Sequence, residues 1–208
     1  MQETKITCTT VFEKNYHNPS PIVVNVGGVR SSKSYSIAQC INAYALEYPG
    51  LAIGICRKVA STLTSSVVRP FIEVSNTFDN WSEGNFNKSE RYYIYDHGDG
   101  NQKKSTIQFF GLDDVEKIKS TKFNLIWMEE ATGFSFEDFS FLQTRLSAEK
   151  PEGWKRNQII LSLNPSDAKG WIRTKLLPQE KVRLIESTYK DNPFLDEDYI
   201  RNIEALKE

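Results

Sequence analysis

Five short apolar runs, PIVVNV (21–26), LAIGICR (51–57), NLIWM (124–128), QIILSLN (158–164) and VRLIEST (182–188), recur along the chain. Between them lie segments of helical periodicity too long to be hairpin turns. Residues 33–48 place Ile37, Cys40, Ile41, Tyr44 and Ala45 at three- and four-residue spacing. The spacing predicts further helices over 61–78, 135–147, 168–176 and 195–207, with Pro70 kinking or interrupting the first of these. Strands joined by helical crossovers pair in parallel, so the pattern predicts an α/β fold with a mostly parallel central sheet flanked by helices. One stretch departs from it. In residues 90–111 two strand-like runs surround HGDGNQKK, which reads as a hairpin, and a short helix is expected near 113–119.

With 208 residues the chain is long enough for one domain of this kind with a buried core. No apolar stretch approaches the roughly 20 residues of a membrane-spanning helix. Lys plus Arg number 26 against 27 Asp plus Glu, so overall charge gives no argument for nucleic acid and any DNA contact must be local. Three cysteines without ligand spacing point to a reducing compartment, and two histidines argue against a histidine-rich metal site and weaken a Ser/His triad.

The chemistry lies at the ends of the apolar runs. After the first comes Asn25-Val26-Gly27-Gly28-Val29-Arg30-Ser31-Ser32-Lys33-Ser34. A loop that grips phosphate needs inward-pointing backbone N–H groups, a lysine for the β- and γ-phosphates and a hydroxyl for Mg²⁺ at a helix N-terminus. Gly27, Gly28, Val29, Arg30, Ser31, Ser32, Lys33 and Ser34 are the candidate nucleotide-binding residues. Ser32 stands where the pattern G-x-x-x-x-G-K-[ST] has its second glycine. The third run ends in Glu129-Glu130. Paired acids after an apolar strand suit ATP hydrolysis: Glu129 with Ser34 as Mg²⁺ ligands, Glu129 occupying a position more often held by aspartate, and Glu130 polarising the attacking water. Asn164 ends the fourth run, at the same rim of an open sheet, where its amide would sense the γ-phosphate.

In order, GGVRSSKS, FFGLDDVEKIKSTKFNLIWMEEAT, FLQTRL, SLNPS and TYKDNPFL resemble the ATPase domain of tailed-bacteriophage large terminase subunits, from about residue 20 to 200. The resemblance implies a P-loop NTPase fold of the additional-strand, catalytic-glutamate type. It also implies ATP and Mg²⁺ as cofactors, Glu130 as catalytic residue with Lys33, and Asn164 in a coupling motif. Residues 1–182 would form the ATPase core and 183–208 part of a lid or linker subdomain. A nuclease domain, usual in the family, is not expected within 208 residues, and the helical pattern running to the last residue suggests a truncated chain. The implied partners are double-stranded DNA, the portal protein, the small terminase subunit and further copies in a ring, expected to be pentameric. The location would be the cytoplasm of the infected bacterial host, outside the mature virion.

The family often has an arginine as third loop residue; here that residue is Val29 and Arg30 follows, leaving open whether Arg30 is an in-chain catalytic arginine. For a residue supplied by a neighbouring subunit the stretch EKIKSTKF offers Lys117, Lys119 and Lys122, and FLQTRL offers Arg145; Lys119 and Arg145 are the leading candidates. Tyr16 and Asn18 are either adenine contacts or ordinary loop residues. Arg57 and Lys58 would face phosphate or DNA, and Lys103 and Lys104 would contact DNA or keep a hairpin tip soluble. Trp81, Tyr92, Tyr93 and Tyr95 are expected to pack. A P-loop kinase, a helicase-like ATPase and a nucleotide-dependent DNA-binding or assembly module without hydrolysis are the competing readings.

Overall fold

The computed structural model describes residues 6–79, 81–97, 103–113, 115–165 and 170–205, without the Lys117 side chain. Eight strands form one sheet: β1 (Ile22–Gly27), β2 (Ala52–Arg57), β3 (Phe86–Asn87), β4 (Tyr92–Tyr95), β5 (Ser105–Gly111), β6 (Leu125–Glu129), β7 (Gln158–Leu163) and β8 (Val182–Ser187). Their spatial order is β3, β4, β5, β2, β6, β7, β1, β8. From β5 to β8 every pairing is parallel; β4 and β3 add an antiparallel edge. Four of the five apolar runs are the central strands β1, β2, β6 and β7, covered on both faces as their lack of polar alternation requires, and the fifth, β8, is the sheet's edge, with Arg183, Leu184 and Glu186 exposed.

Alternate residues of each strand feed two cores. Val23, Ile53, Ile55, Leu125, Trp127 and Ile160 pack beneath three helices, α1 (Thr10–Asn15), α2 (Lys33–Glu47) and α3 (Arg69–Thr77). Ile22, Val24, Ile126, Met128, Ile159 and Leu161 pack on the other face, with Phe139 and Leu142 of α4 (Phe136–Arg145) and with a π-helical turn, Ile172–Leu176. Each fully buried aliphatic side chain contributes about 1.5–3 kcal/mol relative to exposure, so both faces hold the sheet. All five apolar positions read on 33–48 are buried in α2.

Segment 61–78 is divided: a 3₁₀ turn, a π-helical turn at Thr64–Val68, then α3 with Pro70 in its first turn, where a missing N–H costs nothing. The 168–176 helix takes the form of the π-helical turn, residues 166–169 lying outside the described part. Part of the expected 90–111 turn, 98–102, is likewise outside it, but the two flanking strands pair antiparallel as read. Near 113–119 a 3₁₀ turn, Val115–Ile118, takes the place of a helix. The last helix, α5 (Glu197–Ala205), follows a 3₁₀ turn at Tyr189–Asp191.

Candidate active site

Gly27 ends β1 beside Ser187 at the end of β8. A β-carbon on it would lie 2.4 Å from the Ser187 and Ser31 hydroxyl oxygens, so the strand exit admits only glycine. Arg30 and Ser32 then take left-handed conformations, φ 60° and 62°. Ser32 thus adopts the backbone that the usual glycine provides, at a cost of about 1–2 kcal/mol. It is tethered there: its hydroxyl donates to the Asp191 carbonyl (3.3 Å), and its own carbonyl accepts from the Ser36 N–H and hydroxyl, both at 2.8 Å. No side chain caps the start of α2, whereas α4 begins with a reciprocal Ser135–Asp138 capping box. The first N–H groups of α2 are therefore left for an anion.

Lys33 bends back over the loop, its ammonium donating to the Gly28 carbonyl (3.1 Å) and to Asn164 Oδ1 (3.0 Å). Burial lowers its pKa, against the charges of Glu129 and Glu130, which raise it. Both acceptors are neutral, so a charged phosphate oxygen competes well for this donor. The Ser34 hydroxyl donates to Glu129 Oε1 (2.9 Å), and the Ser162 hydroxyl of β7 donates to Glu129 Oε2. Glu129 is 9% exposed; burial pushes its pKa up, opposed chiefly by those two hydroxyls. Two hard oxygens set side by side, one of them a carboxylate, match what Mg²⁺ accepts from protein.

Glu130 occupies the left-handed region at φ 52°, a costly conformation for glutamate of the kind stored at active sites. Its exposed carboxylate pairs with Arg57, at the end of β2. The strand ends thus bring together Lys33, Ser34, Glu129, Glu130 and Asn164. Val29 faces solvent, 71% exposed. Arg30 is directed elsewhere: its guanidinium lies 4.5 Å over the ring of Tyr199 in α5, and its carbonyl accepts from Asn192. Ser31 is buried and accepts from the Ser187 hydroxyl (3.1 Å). An open cavity of about 700 Å³ lies against the loop, bounded by Gly28, Val29, Pro165, Thr188 and Tyr199. That is within the usual range of about 300–1,000 Å³ for ligand pockets.

Lys119 and Arg145 come together at the opposite end of β6 from Glu130. The Arg145 guanidinium donates to the Lys119 carbonyl, its carbonyl accepts from Phe123 N–H, and Lys119 pairs with Glu116. Neither reaches Glu129 or Glu130 of its own chain. Tyr16 and Asn18 precede β1, at the end of the sheet away from the loop. Tyr16 stacks between Phe12 and Tyr44 and donates to Glu47, and Asn18 bonds Lys14 and Ser20, which is ordinary packing. Lys58 pairs with Asp138 (2.7 Å), Lys104 with Asp96, and Trp81 stacks on Tyr93. Sequence reasoning did not find Ser162 or the Arg57–Glu130 pair. Ser162 had a signal, as a polar residue within a buried aliphatic strand; the pair had none, since its members are 73 positions apart.

A profile of the phage terminase large subunit family matches residues 20–208. The chain belongs to this family. Among terminase relatives, the PBSX phage terminase large subunit of Bacillus subtilis (strain 168) is 29% identical over 205 residues, covering 88% of this chain and 45% of that protein. The large subunit of Bacillus phage SPP1 is 30% identical over 193 residues, covering 87% and 44%. The chain therefore spans less than half the length of these terminases. In fold, a large terminase from a thermophilic bacteriophage superposes with TM-score 0.78 at 13% identity, over 96% of this chain and 50% of that one. An ATPase-domain variant from Thermus phage P74-26 superposes with TM-score 0.66 at 12% identity, over 97% and 87%. The thermophilic phage terminase has also been solved with ATP-γ-S and with ADP. These likenesses bear out the α/β fold, with a mostly parallel sheet flanked by helices, read from the sequence.

Proposed function

We propose that this chain is the ATP-hydrolysing motor domain of a DNA-packaging terminase, coupling Mg²⁺-ATP hydrolysis to movement of double-stranded DNA into a procapsid. The observation that carries the reading is the convergence of Lys33, Ser34, Glu129, Glu130 and Asn164, from three separate strand ends, on one rim of the sheet. The loop N–H groups and Lys33 hold the phosphates. Ser34 and Glu129 are the residues that would hold Mg²⁺, which when bound neutralises phosphate charge. Glu130 takes the proton of the attacking water, and its pair with Arg57 holds the carboxylate at the end of β6. Asn164 shares Lys33 with the loop, so a γ-phosphate that draws Lys33 away alters the hydrogen bonding of Asn164; that exchange is its coupling role.

Segment 183–208 acts as the lid or linker. Its first residues lie in β8, and beyond them Asp191, Asn192 and Tyr199 touch Ser32 and Arg30 of the loop. Arg30 serves the nucleotide only after leaving Tyr199, and Lys119 or Arg145, remote from Glu129 and Glu130 of their own chain, serve a neighbouring copy. That geometry suits a ring, expected to have five members, assembled on the portal with the small subunit in the infected host's cytoplasm. The departures that motivated a non-hydrolysing module are accommodated: Ser32 holds the glycine-like conformation and Glu129 reaches Ser34.

Phosphate release from Mg²⁺-ATP, followed over a range of protein concentrations, tests the reading. The expected rate rises faster than linearly with protein and vanishes in Lys33→Ala and Glu130→Gln. Nucleotide binding without release would support the assembly module, and phosphate transfer to a nucleoside or nucleotide would support a kinase.

A further inference from the structure

We infer that Trp127 and Ser162 form a positioning pair that fixes the Glu129 carboxylate, and that this pair lets a glutamate serve at a metal position where aspartate is commoner. The inference rests on the nucleotide-site reading above.

In the parallel register of β6 and β7, Glu129 lies opposite Ser162. Trp127, two residues before Glu129, therefore shares its face of the sheet. The Trp127 indole N–H donates to Ser162 Oγ (2.8 Å), and the Ser162 hydroxyl donates to Glu129 Oε2. Trp127 and Ser162 are 3% and 0% exposed. An indole N–H is a donor only, and a serine hydroxyl has one proton. Trp127 therefore fills a lone pair of Ser162 and cannot take its proton. Two acceptors remain for that proton, the Met128 carbonyl at 3.5 Å and the Glu129 carboxyl, and the closer one prevails.

One glutamate oxygen is thereby committed to β7, and the other is turned toward Ser34 on α2. A glutamate has one more rotatable bond than an aspartate, and a metal ligand free to rotate binds weakly because the ordering cost falls on binding. Ser162 removes that freedom, and Trp127, packed in the core with Leu125 and Ile160, removes the freedom of Ser162. The extra methylene is what allows Glu129 to span the two hydroxyls, so aspartate is not an equivalent ligand in this chain.

The test uses the whole chain with a non-hydrolysable ATP analogue and reads binding. Two quantities are measured: the free Mg²⁺ concentration at half of the Mg²⁺-dependent rise in melting temperature, and analogue affinity in EDTA. Ser162→Ala is expected to raise the Mg²⁺ midpoint by about tenfold or more, the usual size of an outer-shell loss, with affinity in EDTA unchanged. Ser162→Thr keeps the hydroxyl and should stay within about twofold of the parent. Ser162→Cys, a weak donor of similar volume, should behave like Ser162→Ala and replaces it if the alanine variant does not fold. Glu129→Asp should raise the midpoint although it restores the commoner residue. A Ser162→Ala midpoint equal to the parent's would overturn the inference. So would a loss of affinity in EDTA that Ser162→Thr fails to restore, since that marks a packing role. A parent with no Mg²⁺-dependent rise would bring down the nucleotide-site reading itself, a result distinct from either.

Discussion

The two ends of the parallel sheet are built from the same strands and solve opposite problems. At the amino-terminal end, buried neutral amides close the backbone. Asn124, fully buried, accepts from Ala52 N–H and donates to the Glu149 and Ala148 carbonyls and to Asn157, while Gln158 donates to the Asn18 and Ser20 carbonyls. At the carboxyl end sit a buried carboxylate, a lysine with lowered pKa and three residues, Arg30, Ser32 and Glu130, in left-handed conformations. The amino-terminal end closes mostly on neutral amides, with one left-handed residue, His17 (φ 54°). The other holds charge and strain where a ligand can use them.

The sharpest way to break this contrast is at Glu130. Glu130→Gln is expected to lower phosphate release by about 100- to 10,000-fold, the range of a lost general base, while leaving the melting temperature and nucleotide affinity near the parent's. Unchanged turnover would remove its role. Next in size, Asn124→Ala strands buried backbone groups at the other end and should cost about 2–3 kcal/mol of stability in chemical denaturation. Gly27→Ala forces a methyl into the Ser31 and Ser187 hydroxyls and is expected to cost about 1–3 kcal/mol and to weaken nucleotide binding as the loop shifts.

Ser32→Gly should go the other way. It relieves the left-handed strain, about 1–2 kcal/mol, less the Asp191 tether and the added freedom of the unfolded chain, and so should raise the melting temperature slightly. A fall would show that the tether outweighs the strain. The smallest effect belongs to Asp191, whose carboxyl is held below its ordinary value of 3.8, first by the Thr188 N–H. A lowered carboxyl contributes stability that is complete above the unfolded value and lost as pH falls through the folded one. Asp191→Ala should therefore destabilise at neutral pH, and its difference from the parent should shrink as pH falls through the lowered folded-state value.

The carboxyl end was legible in the sequence because its residues follow directly on apolar strands. Lys33, Ser34, Glu129, Glu130 and Asn164 each lie within a few residues of a strand end, and the sheet's parallel order carries all of them to one rim. What escaped was set by contacts between strands. The Arg57–Glu130 pair depends on β2 lying beside β6, and the Trp127–Ser162 bond on the register of β6 with β7. Helix α1 escaped for another reason: its six residues are too few for periodicity to show, and Thr9 caps it as it would a turn. The π-helical turns at 64–68 and 172–176 also escaped, since hydrophobic spacing does not separate them from α-helix.

The most direct test pairs one variant from each end, Lys33→Ala and Asn124→Ala, and measures melting temperature and the affinity of Mg²⁺ with a non-hydrolysable ATP analogue on both. Lys33→Ala should lose binding with little change in melting temperature. Asn124→Ala should melt about 4–12 °C lower while its folded form binds like the parent. Parent-like binding by Lys33→Ala would contradict the account, because the loop at the carboxyl end would then not be where the nucleotide is held.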